Sequence, residues 1–388
     1  MEERIKEQLA RLAEKGLRRS LRALSTGSEA RVRIGDRTYL NLASNNYLGL
    51  ATDERVIEAA RAAALKYGVG AGSSRLISGN LEIHEELESE LAGFKRAPGA
   101  KVFPTGYSTS VGVLTALCGP GDAIFPDALI HASLIDGCRL SRANRHLYRH
   151  ADAGHLAQLL RSTPVTGQRF IVTDGVFSMD GDVAPLMDLV DLARRYDATL
   201  VVDDAHGTGV LGPQGRGSVE ALGLGNKVAV RIGTLSKALG SQGGYVVGSE
   251  ALSDLMIHRA RSFIYSTALA PPLASAALTA LRISLEEDWR REKLRDNARV
   301  LRDGLDALGY KFTGSVEVPM VVAVLGSPNA SVTLAAHLAE RGILAPAIRP
   351  PTVPEGTSRI RMTPMATQTE EDMKEALAAF PPASEIER

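Results

Sequence analysis

Cysteine is scarce: Cys118 and Cys138 are the only two in 388 residues, and neither stands in a CxxC spacing. That excludes a cysteine metal or redox motif and fits a reducing compartment. Net charge is absent too, with 45 Lys and Arg against 45 Asp and Glu. The basic footprint of a nucleic-acid binder is therefore missing, and the arginines of 139–149 read as a solvated face. The N-terminus is charged from Glu2 onward and has no apolar signal core. The least polar long segment, Phe263 to Ser284, carries Pro271-Pro272 and many alanines. It reads as a loop and a packed helix rather than a membrane span. No repeat and no low-complexity tract is present. The expectation is a cytoplasmic protein with neither nucleic acid nor membrane as partner.

What remains is ordinary globular composition, 44% hydrophobic and 23% charged. The length allows two to three domains and a large core. The most informative stretch is Thr234-Leu-Ser-Lys237-Ala-Leu-Gly240-Ser-Gln-Gly243-Gly244. An apolar run with strand character, Lys227 to Ile232, leads into it. A lysine among small residues after a buried strand suits a Schiff-base role, because desolvation lowers the amine pKa and frees its lone pair. A loop lysine beside a Gly-rich turn is the plainer reading, and this stretch alone leaves both open. The glycines after Lys237 are expected to leave space for cofactor and substrate.

Ile5, Leu9, Leu12 and Leu17 make an amphipathic N-terminal helix, with Arg18, Arg19 and Arg22 after it. Arg33 to Leu42 alternates like one short strand. Gly68-Val-Gly70-Ala-Gly72 resembles a dinucleotide fingerprint only on the surface, since a helix precedes it where a strand is required. Its glycines are expected to permit close backbone approach. From Lys101 the pattern becomes regular α/β. Short apolar runs at Lys101–Phe103, Ala123–Phe125, Leu147–Tyr148, Phe170–Val172, Thr199–Val202, Val228–Ile232 and Tyr245–Val247 alternate with helices. Runs apolar on consecutive positions are strands buried on both faces. The fold predicted is α/β, a mainly parallel seven-stranded sheet flanked by helices, with ligands at the carboxyl ends of strands.

Polar residues recur at those ends: Pro104 to Thr109, His131-Ala-Ser133, Thr173 to Gly181, and Asp203 to Gly209. The Ser and Thr hydroxyls after Phe103 suit either a phosphate at a helix N-terminus or plain capping. Asp203 and Asp204 point to opposite sides of an extended chain, and no second His or Cys cluster stands nearby. No metal site is expected. After Arg282 a long charged helix, Glu286 to Leu308, leads to strands at Val318–Leu325 and Arg359–Met362. The helix Ser331–Arg341 and a stiff, extended Arg349–Pro354 segment lie between them. The division expected is an N-terminal helix and arm (1–50), a large α/β domain (51–284) and a smaller α+β C-terminal domain (285–388).

Six segments, SNNYLGL (Ser44–Leu50), GAGSSRLISGN (Gly70–Asn80), HASLIDG (His131–Gly137), TDGVFSMDGD (Thr173–Asp182), DDAHGTGVLG (Asp203–Gly212) and TLSKALGSQGG (Thr234–Gly244), resemble in order the motifs of one family. It is that of the pyridoxal-phosphate-dependent α-oxoamine synthases, on the fold type I aminotransferase scaffold. The likeness covers nearly the whole chain. IRPPTVPEGTSRIRMT (Ile348–Thr363) most resembles the branch that joins L-alanine to a pimeloyl thioester, on CoA or acyl-carrier protein. Sister branches use glycine or serine with another acyl-CoA, and members lacking the lysine are inactive subunits.

The resemblance implies roles residue by residue. Lys237 would hold pyridoxal phosphate as a Schiff base and remove the substrate Cα proton. Asp203 would face the pyridine nitrogen, and His131 would stack on the ring and border the substrate. His206 and Ser178 would bond the phenolic oxygen or its surroundings. Gly106 and Tyr107 would seat the cofactor, and Thr234 its phosphate, helped by Ser266 or Thr267 of a second subunit in a homodimer. Asn45 and Arg361 would bind the amino-acid carboxylate, the arginine by bidentate pairing. Thr352 and either Arg18 or Arg19 would contact the acyl substrate. Departures are small: Tyr107 stands where phenylalanine is common, and Ser73-Ser74 where relatives carry glycine.

Overall fold

The computed structural model describes residues 1–14, 17–18 and 21–386. Its centre is a seven-stranded sheet in the order Gly99–Phe103, Gly244–Gly248, Val230–Thr234, Ala198–Asp203, Arg169–Asp174, Ala123–Pro126, Asn144–Arg145. Gly244–Gly248 runs antiparallel to both neighbours, and every other pairing is parallel. The inner strands are buried on both faces, as the unbroken apolar runs Phe170–Val172 and Leu200–Val202 require.

One strand lies elsewhere than expected. Leu147–Tyr148 makes only a single bridge, between Tyr148 and Asp127, and the strand is Asn144–Arg145. It closes the edge of the sheet, where exposed polar residues are tolerated and no apolar run marks the position. The strand expected over Arg33–Leu42 is a hairpin, Arg31–Ile34 with Arg37–Asn41, turning at Gly35 with φ 58°. Arg37–Asn41 also pairs in parallel with Ile343–Leu344. Leu40 and Leu42 thereby enter a core made by Leu301, Leu305, Leu338 and Ile360.

That core lies under a four-stranded sheet, Lys311–Thr313, Val321–Gly326, Ser358–Met362 and Ala347–Ile348, with antiparallel neighbours throughout. Helices Asp288–Ala307 and Glu370–Ala378 pack against each other beside it. The long charged helix starts at Asp288 because the chain breaks at Glu287, ending the preceding helix Pro271–Glu286. Buried Arg290 donates to the Leu48 carbonyl (2.8 Å) and pairs with Asp53 (2.8 Å), so it anchors the Ser44–Leu50 segment. Arg349–Pro354 is a turn, not an extended rod. The Pro350–Pro351 peptide is cis, and the Thr352 N–H donates to the Arg349 carbonyl.

His150 ties two parts of the large sheet's rim together. Its Nδ1 lies 3.0 Å from Asp127 and its Nε2 3.0 Å from Asp182. Hydrogen bonds to those two carboxylates, Asp127 first, raise its pKa to about 10. The folded protein thus binds this proton more tightly than the unfolded chain. The stabilisation is fully present below about pH 6.5 and is lost as pH rises through about 10. His150→Gln is expected to cost about 1–2 kcal/mol at pH 6, a value discounted for the partial exposure of the side chain. Urea unfolding at pH 6, 8 and 10 should show the gap to wild type closing; a constant gap would refute the account.

Candidate active site

Parallel strands present their carboxyl ends on one rim, and the polar residues that follow them meet there. Asp174 and Asp203 end adjacent strands and are register partners. Thr234 ends the next strand, and Lys237 follows it in the loop. His131 caps the helix Ala132–Leu140 after the Ala123–Pro126 strand. These side chains line a cavity of about 260 Å³ together with His206.

Lys237 Nζ lies 2.8 Å from His206 Nε2. Burial, with Arg361 nearby, brings the amine down to about 8, although Asp203 and Asp174 oppose the shift. His206 Nδ1 is 2.8 Å from the hydroxyl of buried Tyr47. Burial and then Lys237, Arg361 and His131 hold the His206 pKa well below its usual value, so the ring is neutral. A protonated amine can only donate, so Nε2 accepts and Nδ1–H donates to Tyr47. Arg361, 5% exposed, donates to the Asn45 side-chain oxygen (3.1 Å) and to the Ser178 carbonyl (2.6 Å). A polar path thus runs from Lys237 through His206 and Tyr47 to the Asn45–Arg361 pair.

Asp203 accepts from Ser110 Oγ (3.2 Å) and from the Ala205 N–H (3.1 Å). Burial pushes its carboxyl up, against the pull of Lys237 and His131. Asp174 accepts the His131 N–H (3.0 Å) and is pushed well up by burial and by Asp203. His131 Nδ1 meets Ser133 Oγ at 2.8 Å. Asp204 faces the other way, as alternation along a strand dictates. Its carboxylate takes Lys95 (3.3 Å) and Ser218 Oγ (2.7 Å) in the protein interior. Asp203 therefore lines the cavity with His206, and Asp204 does not.

The helix Gly106–Leu117 points its N-terminus at the cavity, capped by Thr105, which accepts from the Ser108 N–H (3.0 Å). Thr105, Gly106 and Tyr107 line the cavity beside Thr234 and Ser236. Backbone donors and the helix dipole there suit a phosphate. Tyr107 turns its hydroxyl outward to Asp136 (2.7 Å). The donor set as a whole (amine, buried carboxyl, two imidazoles and an anion-binding helix end) fits a phosphorylated pyridine aldehyde.

The glycines after Lys237 serve the protein's own packing, a correction to the expected role. A Cβ on Gly240 would lie 2.3 Å from the Ala51 nitrogen, and one on Gly244 would lie 2.6 Å from Gly106 Cα. The Gly68–Gly72 glycines, expected to admit a close backbone, face open space in the single chain.

Ser178 lines the cavity, whereas Asn45 and Arg361 reach it through Tyr47 and Ser178. Ser266 and Thr267 do not line it within one chain. Arg18 and Thr352 come together in a separate groove of about 730 Å³, with Arg349 and Leu12. Arg19 lies outside the described residues. Sequence reasoning missed Tyr47, Asp174 and Ser110. Asp174 carried the same strand-end signal as Asp203; Tyr47 and Ser110 carried none beyond their neighbours in quoted motifs.

The chain matches the aminotransferase class I and II family model over residues 37–380. An 8-amino-7-oxononanoate synthase of Lysinibacillus sphaericus is 46% identical over 373 residues, covering 96% of each chain. Serine palmitoyltransferase from S. paucimobilis, solved with PLP and myriocin bound, superposes with a TM-score of 0.92 at 31% identity. That alignment covers 98% of this chain and 96% of the other. An 8-amino-7-oxononanoate synthase from Francisella tularensis superposes with a TM-score of 0.76 at 28% identity, covering 90% and 98%.

Proposed function

We propose that this chain, which belongs to the class I and II aminotransferase family and within it to the pyridoxal-phosphate-dependent α-oxoamine synthases, condenses L-alanine with a pimeloyl thioester. The products are 8-amino-7-oxononanoate, CO2 and the free thiol, a step of biotin biosynthesis. The observation that carries the reading is the meeting of Lys237, Asp203, His131 and His206 in one cavity, in a chain 46% identical to a synthase of that name.

When bound, pyridoxal phosphate supplies an aldehyde that condenses with amines and a cationic ring that takes up carbanion charge. Lys237 would anchor it, and its amine would take the substrate Cα proton. An amine with a pKa of about 8 is a competent base near neutrality. Asp203, fixed by Ser110 and the Ala205 N–H, is assigned to keep the ring nitrogen protonated. His131 is assigned to the ring face, and His206 and Ser178 to the phenolic oxygen. Thr234, Gly106 and Tyr107 are assigned to the phosphate.

Arg361 and Asn45 would hold the alanine carboxylate until it leaves as CO2. Arg18 and Thr352, together in their groove, would hold the acyl donor, carried on coenzyme A or an acyl-carrier protein. Arg18→Ala is expected to raise the KM for the pimeloyl thioester about tenfold, as the loss of one charged hydrogen bond would. The KM for L-alanine should not change. Equal effects on both substrates in steady-state kinetics would remove Arg18 from the acyl site.

A homodimer is part of the proposal. Val69 (83%), Ile77 (80%) and Tyr265 (71%) are exposed apolar side chains, which a second copy would cover. The Ala268 N–H donates to the Ser73 carbonyl (3.0 Å), so this face adjoins Ser266 and Thr267. That supports their reaching a second copy's phosphate site. No described helix is long and apolar enough to cross a membrane, and a cytoplasmic setting suits the two buried, free thiols.

The test is a substrate matrix on purified, cofactor-loaded protein. Pimeloyl-, acetyl-, succinyl- and palmitoyl-CoA are crossed with alanine, glycine and serine, and product mass is read. Preference for glycine or serine with another acyl group would assign the chain to a sister synthase.

A further inference from the structure

The turn Phe177–Asp182 brings Ser178 to the cavity, and it is gripped along its whole length. Four successive carbonyls are taken by groups from the C-terminal part of the chain. Arg361 Nε donates to Ser178 O (2.6 Å), and Arg359 Nη1 to Met179 O (3.1 Å). Thr313 Oγ1 donates to Asp180 O (3.1 Å), and the Ser315 N–H to Gly181 O (2.9 Å). Gly314 closes onto the same turn; a Cβ there would lie 2.5 Å from Asp180 O.

Two cations from different parts of the chain hold the turn's side chains. Arg359, with its side chain 2% exposed, pairs with Asp180 at 2.5 Å. His150, from the large sheet's rim, bonds Asp182 at 3.0 Å and sets its ring edge-on to Phe177, 4.4 Å between centroids. Arg359 and Arg361 are two apart on one strand, so both reach the same face. The guanidinium assigned to the alanine carboxylate therefore also holds the backbone of Ser178.

We propose that Arg359 and His150 are positioning residues. They hold the Phe177–Asp182 turn from the C-terminal sheet and from the large sheet's rim, keep the Ser178 hydroxyl in the cofactor cavity, and couple the C-terminal sheet carrying Arg361 to it. The inference rests on the assignment of this cavity to pyridoxal phosphate and of Arg361 to the amino-acid carboxylate. Buried paired groups in discrete arrangements carry such coupling between sites.

The experiment uses the full chain loaded with pyridoxal phosphate and no acyl donor, so it stands apart from the substrate matrix. Asp180→Asn and His150→Gln are compared with wild type, each alone and combined with Ser178→Ala. The visible absorption of the bound cofactor is followed against pH and against L-alanine. Each single variant is expected to weaken L-alanine binding about tenfold, the scale of one positioning contact, and to shift the pH midpoint of the cofactor spectrum. Arg359→Lys should restore most of what Arg359→Met loses. In the Ser178→Ala background the midpoint shifts should vanish, because the residue they act through is gone. Unchanged spectra in both single variants, or shifts undiminished by Ser178→Ala, would overturn the proposal. Failure of wild type to condense alanine with the pimeloyl thioester would instead overturn the assigned reaction.

Discussion

Lys237→Ala is expected to lose at least about 10⁴-fold in turnover, the scale of removing a nucleophile and base that act as one unit, and still to bind pyridoxal phosphate. The two halves of this expectation have different causes. Turnover fails because the amine is assigned both the covalent anchor and the proton acceptor, and nothing else in the cavity can do either. His206 keeps its bond to Tyr47, and burial holds its pKa well below the usual value, which makes it a weak base. Asp174 and Asp203 are engaged by His131, Ser110 and Ala205. Binding survives because the helix end at Gly106, the Thr234 hydroxyl and the Asp203 carboxyl belong to other elements and do not depend on the lysine. Product mass after overnight incubation and cofactor absorbance after desalting check the two halves separately. Near-normal turnover would sink the assignment of Lys237. A colourless protein that takes up no cofactor would sink the claim that the remaining groups hold it.

Much of this site was legible because strand ends are. Phe170–Val172 and Leu200–Val202 are unbroken apolar runs, and such runs must be buried on both faces, so their carboxyl ends must share a rim. That logic brings Asp203, His131, Thr234 and Lys237 together from the sequence. It does not reach Asn144–Arg145, because an edge strand needs no apolar signature. Nor does it reach the hairpin at Gly35, where one left-handed glycine turns an apparent strand back on itself. Tyr47 was hidden for another reason. Its partner His206 is 159 residues away, and no local pattern encodes a contact that only tertiary packing makes. The same holds for Arg359, whose sequence neighbourhood reads as an ordinary strand while its side chain grips a turn 180 residues earlier. The glycines after Lys237 misled in the opposite sense. Their small size suggested room for a ligand, yet the space is filled by the backbones of Ala51 and Gly106.

Asp203→Asn should separate stability from catalysis. The carboxyl is buried and its pKa is pushed up by that burial, with Lys237 and His131 only partly opposing it. An amide of the same shape has no charge to desolvate and can still meet Ser110 and the Ala205 N–H. The apo protein is therefore expected to unfold within about 1 kcal/mol of wild type, or to be more stable, as when buried charges are replaced without loss of packing. Catalysis should move the other way. An amide cannot hold a proton on a pyridine nitrogen electrostatically, so the ring would lose most of its capacity to take up carbanion charge. A fall of about 10³-fold in kcat is expected, comparable to removing one preorganised electrostatic group from a buried site. Thermal unfolding of the apo variant and single-turnover kinetics of the loaded one give the two signs independently. A variant that is strongly destabilised yet nearly as active per folded molecule would mean that Asp203 is a structural carboxylate, and that the ring nitrogen finds its partner elsewhere.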